Sequence, residues 1–548
     1  MNKVILSLFV VFAGAVATAN AQIVKSTGPS GTVELYSRAD FEISLKGSWD
    51  NPYRHQEVTL DMVLTAPDGA TLVLPCFHKS GKSGELSVWE ARFMPRETGT
   101  YTYTFIYREK GAVESAGAGG VLKVNESGRQ GMLGLNDNWT LRYDNGDLYK
   151  GIGENICWES RENDDSRFFS SLHEMHDRYN YDYMLPLFAR SGGNFIRVWM
   201  NGWNFPIDKK DNFNNIRYTA TAEPINESAV TRLDHMIELC ESLGIKVMLC
   251  IGAGEARTDR NFFASDEARS EYRNRLRYIV ARWGYSESVA MWEFFNEIDN
   301  IQFRDSSNPI PHEDITSWHA EMSSYLKGID PYKHIVTTSI SHRDVAGLND
   351  VPDMDINQKH IYRATAAIPK TIVDYSEAHG KPYIIGECSY EWDWSKNFDD
   401  FADGMDWDFR RGMWYGLFYP TPVTPMSWWW EYFEHRGMMK YFKPVRAVSD
   451  MMLAEGKGSF EMMQVPVADV ESHAVRCGDK LFVYLFNDSD KTVKVTGLAG
   501  HKDWKQVCEY DIEAAAEGSA KTMIAMSSSK LKSVRMKPHR EKLYIIDL

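Results

Sequence analysis

The chain has few cysteines and, beyond its first twenty or so residues, no long apolar run. Seven cysteines, an odd number scattered at 76, 157, 240, 250, 388, 477 and 508, argue against a disulfide framework, and no C-x-x-C pair offers zinc spacing. After residue 21 no segment reaches the roughly 20 apolar residues that a membrane-crossing helix needs. Positive charge is in deficit as well: 61 Lys and Arg face 76 Asp and Glu, a net of −15. Such a surface repels phosphate backbones and anionic lipids, so nucleic acid is not an expected partner. Gly-rich phosphate loops, internal repeats and low-complexity tracts are absent too. Aromatic residues are plentiful instead, with 17 Trp and 27 Tyr among 548 residues. Rings of that amphipathic kind suit large cores or sugar-binding surfaces.

The first residues read as an address. Lys3 precedes the apolar run Val4 to Val16, and Ala19-Asn20-Ala21 supplies small residues at a cleavage point. Residues 1–21 are therefore expected to be a secretory leader, with the mature chain in the periplasm or outside the cell. From 22 to 125, short alternating runs such as Glu57 to Leu64 and Tyr101 to Phe105 predict an N-terminal, immunoglobulin-like β-sandwich. The Gly/Ala-rich stretch Gly111 to Gly120 is expected to form a hairpin tip there. From 460 to 548 the alternation returns, as in Leu481 to Phe486, and predicts a small C-terminal antiparallel β-sandwich.

Between them, residues 130–455 alternate apolar strands with amphipathic helices. Eight strand-like runs are expected at 148–153, 194–199, 246–251, 289–295, 334–338, 355–360, 382–386 and 425–430. Helical runs lie between most of them, from Arg167–Arg190 to Phe398–Phe418. That pattern predicts an α/β fold, a (β/α)8 TIM barrel, whose C-terminal strand ends converge on one pocket. Those ends carry Arg197 and Trp199, Asn296-Glu297, His360-Ile361-Tyr362, Glu387 and Trp428-Trp429-Trp430. Two carboxylates facing each other across a barrel mouth are the minimum equipment for glycoside hydrolysis, one protonated to donate and one ionised to attack. Asn296 is placed to bond a sugar 2-hydroxyl, Arg197 to hold Glu387 ionised, Tyr362 to orient it, and His360 to donate to Glu297 or to the sugar. Trp158 and Trp203, in loops after the first two strands, are candidate rim residues. Strand alternation puts Trp428 and Trp430 on one face and Trp429 on the other without saying which face is the pocket; Trp428 and Trp430 are the favoured pocket pair. Glu154-Asn155 are further lining candidates, Glu391 and Asp393 possible rim acids, Glu293 a deeper interior residue, and Cys388 structural.

The run Trp292-Glu293-Phe294-Phe295-Asn296-Glu297 resembles the Asn-Glu acid/base signature of the clan A glycoside hydrolases, and Ile384-Ile385-Gly386-Glu387 resembles their nucleophile strand. Asn194-Phe195-Ile196-Arg197 and His360-Ile361-Tyr362 are similar to the supporting residues of the family 5 cellulase-like group. One departure is Cys250-Ile251-Gly252-Ala253-Gly254, which has no histidine where many family 5 enzymes carry one. The resemblance implies that Glu297 is the acid/base, Glu387 the nucleophile and the stereochemistry retaining. A secreted β-glycosidase acting on a poly- or oligosaccharide, without metal or organic cofactor, is the expected function. A catalytically inactive barrel that binds glycan is the alternative from another class. A third possibility keeps the enzyme but makes its action exo.

Overall fold

The computed structural model describes residues 21–161, 170–212, 215–252 and 258–548. The leader expected over residues 1–21 lies outside them except for Ala21. Among the described residues, no helix is long and apolar enough to cross a membrane.

Residues 22–125 form two antiparallel-rich sheets that share one core. One orders its strands Gln22–Thr27, Ala39–Lys46, Leu86–Phe93 and Phe77–Ser80; the other contains Ala112–Asn125, Gly99–Glu109, Val58–Thr65 and Thr71–Pro75. Alternate residues such as Phe41, Ile43 and Leu45 meet Leu60, Met62 and Leu64 between the sheets. The Gly/Ala-rich stretch is not a hairpin tip. It is the body of the strand Ala112–Asn125, and only Lys110-Gly111 turn the chain, both with positive φ. The small residues serve close approach instead, since a Cβ on Gly119 would stand 2.3 Å from the Tyr103 carbonyl oxygen. This unit rests on the outer helices of the central region, where Arg92 reaches Asp234 at 3.1 Å and the His55 backbone donates to Asn274.

The central region is built on parallel pairing. Strands β1 (Gly153–Asn155), β2 (Phe195–Trp199), β3 (Lys246–Cys250), β4 (Val289–Glu293) and β5 (Ile335–Thr337) follow one another in a sheet. The chain continues from β5 into Ser339–Ile340, which pairs with β6 (Asn357–Tyr362), and β6 pairs with β7 (Tyr383–Ser389). Strands β2, β3 and β4 are buried along their whole length, which explains why they read as unbroken apolar runs. Residues 423–427 complete the circuit through isolated parallel bridges, Gly151 to Val423 and Ser427 to both Glu154 and Cys388. The expected eighth strand is thus reduced to bridges, because the chain turns into a helix at Trp430. The expected first strand is displaced: Leu148–Tyr149 belongs to a small antiparallel sheet, and β1 begins only at Gly153. That small sheet closes the N-terminal end of the ring, where Phe195, Met248, Met291, Ile384 and Met426 fill the interior.

Helices line the outside, among them Glu227–Leu243, Asp266–Trp283, His312–Ile329, Ile368–His379 and Ala402–Phe418. Asn226 and Ser265 cap the first two by accepting backbone N–H groups of their first turns, and Gly244 ends the first in the left-handed region. The helix expected over Arg167–Arg190 is broken where described, into Ser170–His173 and Tyr181–Arg190. Residues 461–547 form a six-stranded sheet centred on Lys480–Phe486 and Glu541–Asp547. It packs on Ala402–Phe418, with Trp414 stacked on Tyr484 at 5.7 Å.

Candidate active site

Strand parity alone aims Phe195, Arg197 and Trp199 inward, the first at the floor, the second midway and the third at the mouth. Arg197 is fully buried and acts as a hub. Its Nε and Nη2 donate to Glu293 at 2.6 and 2.8 Å, and its Nη1 donates to Glu387 Oε1 at 2.5 Å. It also donates to the side-chain oxygens of Asn155 and Asn296, at 3.3 and 2.8 Å. Glu293 is further held by Gln358 at 2.9 Å. One guanidinium therefore serves two buried carboxylates.

Glu387 reaches this hub by an irregularity. Lys359 pairs with Ile385 but His360 pairs with Glu387, so Gly386 is the extra residue of a β-bulge. The bulge breaks strict alternation and turns Glu387 inward although Ile384 already faces the interior. Only glycine fits, since a Cβ at 386 would lie 2.0 Å from Gln358 Oε1. The Tyr362 hydroxyl donates to Glu387 Oε2 at 2.6 Å, and burial pushes that phenol well up, so it remains a donor.

Glu297 stands just past β4 with φ 49°, a left-handed conformation that costs a non-glycine residue about 1–3 kcal/mol. Its backbone N–H donates to Ser339 Oγ, and its carboxylate accepts from Asn300 at 2.7 Å. His360 bridges the two acids: Nδ1 lies 2.9 Å from Glu297 and 3.4 Å from Glu387. One oxygen of Glu297, one of Glu387 and a His360 ring nitrogen all lie within 4.8 Å of one another. These three are, among the described residues, the acid and histidine group close enough to share a cation.

Burial raises Glu387, and this outweighs the opposing charges of His360 and Arg197. Arg197 favours the ionised form of Glu387, as expected, but its guanidinium is divided between two acids and does not fully offset burial. Burial would raise Glu297 too, but the hydrogen bond and charge of His360 prevail and leave it below the ordinary value. The pair is pushed apart, one acid above and one below an ordinary glutamate.

Both acids open onto a cavity of ≈ 830 Å³ that Asn296, His360 and Tyr362 also line. With Asn296 Oδ1 engaged by Arg197, its amide N–H groups are the part left for a ligand. Trp158, Trp203, Trp428 and Trp430 line the same cavity, joined by Trp199. Trp429 lines it as well, contrary to the alternation argument. Residues 428–430 are not a strand: Trp429 has φ 68° and begins the helix Trp430–His435, so period two does not apply. Glu154 and Asn155 do not line the cavity. Asn155 faces inward beneath it, and the neighbouring Glu154 is buried on the opposite side of β1. Cys157, Cys250 and Cys388 are buried, which raises their thiols well above the ordinary value and leaves them unreactive. Sequence reasoning did not find the partnership of Glu293 with Arg197, nor Trp392 and Trp394, which border the cavity from the loop after β7.

Residues 160–401 match the family model of Cellulase (glycosyl hydrolase family 5), and residues 32–108 match DUF5060, a domain of unknown function. The mannan endo-1,4-beta-mannosidase A of Podospora anserina is 22% identical over 254 residues, covering 39% of this chain and 65% of that protein. The enzyme of the same name from Aspergillus aculeatus is 24% identical over 234 residues, covering 38% of this chain and 58% of the other. The chain thus spans about three-fifths of the length of these curated relatives. A Bacteroides vulgatus crystal structure, provisionally classed as a glycoside hydrolase, superposes with a TM-score of 0.64 at 17% identity, covering 94% of this chain and 100% of that one. That likeness establishes a shared fold.

Proposed function

We propose that this protein, whose residues 160–401 match the family model of Cellulase (glycosyl hydrolase family 5), is a retaining β-glycoside hydrolase that cleaves a poly- or oligosaccharide by double displacement. The observation that carries this is the approach of Glu297 and Glu387 oxygens to within 4.8 Å. Retaining enzymes hold their two carboxyl groups about 5–5.5 Å apart, whereas inverting ones leave roughly 6.5–9.5 Å for a water. Glu387, oriented by Arg197 and Tyr362, attacks the anomeric carbon while Glu297 gives a proton to the departing oxygen. For this, the proton that burial favours on Glu387 in the free protein must stand on Glu297 once substrate is bound. A water then takes the place of the leaving group, Glu297 removes its proton, and the bond to Glu387 breaks. Asn296 donates to the sugar hydroxyl beside the anomeric centre, and the tryptophans supply flat apolar floors for pyranose rings.

Within this proposal the parallel ring is a (β/α)8 barrel spanning 130–455, and 22–125 and 460–548 are flanking β-sandwiches. Export follows from the leader-like residues 1–21. Mannan is the first glycan to assay, because the curated relatives are mannan endo-1,4-beta-mannosidases.

Azide tests both roles at once. In Glu387→Gly, azide enters the vacated space and attacks directly, so the product is a glycosyl azide of inverted configuration. In Glu297→Ala, hydrolysis drops by about 10²–10⁴-fold, and azide attacks the glycosyl-enzyme to give net retention. Near-normal hydrolysis by either variant without azide overturns the proposal, as does a wild type that binds glycans but releases no reducing ends.

A further inference from the structure

The loop after β7 exposes three aromatic residues in a run of five: Tyr390, Trp392 and Trp394 are 37, 52 and 43% exposed. Large rings left in water usually mark a contact surface when they are clustered and held in place. Here they are held. Glu391 lies between them, 6% exposed, with its carboxylate turned into the loop. Oxygen Oε1 accepts the backbone N–H groups of Trp392 and Asp393, at 2.9 and 3.0 Å, and the Arg363 Nε at 2.7 Å. Oxygen Oε2 accepts from Lys396 at 2.6 Å. Burial alone would raise this carboxyl, but Lys396, the loop amides and Arg363 together bring it to about 2, so it stays ionised at any working pH. The Trp429 indole N–H donates to the Glu391 carbonyl at 2.7 Å, tying the loop to the tryptophan floor.

The Arg363 guanidinium lies over one face of Trp392, 5.1 Å from the ring centre, so the exposure of that indole falls on its other face. Both Trp392 and Trp394 border the cavity that contains Glu297 and Glu387. A loop serving only to turn the chain has no use for two indoles fixed at a cleft rim. Flat rings with an N–H at the edge match a pyranose, which offers an apolar C–H face and a hydroxyl rim.

Resting on the hydrolase reading above, we propose that Trp392 and Trp394 form a distal platform for a sugar ring beyond the one being cleaved, with Glu391 as its positioning residue. Length of substrate is then the variable that reveals it. Affinities for β-1,4-linked manno- and gluco-oligosaccharides of two to six units are measured by calorimetry on Glu387→Gln, which removes turnover. Trp392→Ala or Trp394→Ala added to that background weakens the longest ligands by about 3- to 10-fold and leaves the shortest within about twofold. In the active enzyme the same variants raise KM for long substrates more than KM for short ones. Glu391→Gln reproduces that length dependence, and Trp392→Phe restores most of the affinity. The exposed rings can be removed without unfolding the protein, so an unshifted thermal midpoint accompanies the effect. Equal losses at every length, or none at any length, overturn the platform. A wild type that cleaves nothing defeats the hydrolase reading instead, and the affinities still decide the platform separately.

Discussion

Replacing Arg197 with methionine removes the guanidinium that Glu293 and Glu387 share while keeping a side chain of similar length. The lost interactions are the two bonds to Glu293, the 2.5 Å bond to Glu387 and the bonds to Asn155 and Asn296. Breaking a buried ion pair from one side costs about 3–5 kcal/mol, because the other charge is left behind. For a domain of this size 1 kcal/mol moves the thermal midpoint by roughly 2 °C, so a fall of about 6–10 °C is expected near neutral pH. The pH dependence separates charge from packing. Burial already raises Glu387 against the pull of His360 and Arg197, and the variant loses one of those two counterweights. The folded variant then keeps a proton that the unfolded chain releases above about pH 4.3. A group raised on folding contributes stability below its unfolded value and loses it as pH rises through its folded value. The deficit of Arg197→Met relative to wild type should therefore be largest at pH 7 and shrink toward pH 4. Scanning calorimetry of both proteins from pH 4 to 8 measures it. A deficit constant across that range would assign the loss to packing, and a shift under about 2 °C at pH 7 would refute the shared-hub account altogether.

Two further perturbations address the acids themselves. The wild type should give a bell-shaped kcat/KM profile, its acid limb set by ionisation of Glu387 and its alkaline limb by loss of the Glu297 proton. In His360→Gln the main opposition to burial at Glu297 is removed, so the alkaline limb, set by loss of the Glu297 proton, moves to higher pH; an unmoved limb removes His360 from that role. Tyr362→Phe deletes the 2.6 Å bond to Glu387 and keeps the ring. A hydrogen bond to a charged group is worth about 1.5–3 kcal/mol, so kcat/KM should fall roughly 10- to 150-fold with little change in thermal midpoint. A loss under threefold contradicts it.

Where strands are buried on both faces, their apolar runs and the polar residues at their ends were readable directly, which is why Arg197, Glu297, His360, Tyr362 and Glu387 meet in the structure. Features that depend on a single backbone irregularity were not. The bulge at Gly386 is invisible to a period-two count, although the glycine before Glu387 is its one trace in the sequence. The left-handed Trp429 defeats the same count at the tryptophan triplet. The start of β1 was misplaced because Leu148–Tyr149 is as apolar as a ring strand while pairing antiparallel beneath the ring. Glu293 was assigned the correct depth, but nothing in a linear pattern reveals that Arg197 divides its donors.

Asn155 does two jobs with one amide. Its Nδ2 donates to the carbonyls of Gly386, Met426 and Ser427, at 2.9, 3.3 and 2.9 Å, while its Oδ1 accepts from Arg197. The three carbonyls lie where residues 423–427 close the circuit by isolated bridges in place of a continuous ladder. A single side chain thus rivets the weakest seam of the circle and also braces the cation under the attacking acid. The closure of the circle and the support of the nucleophile therefore share one side chain, with no other element between them.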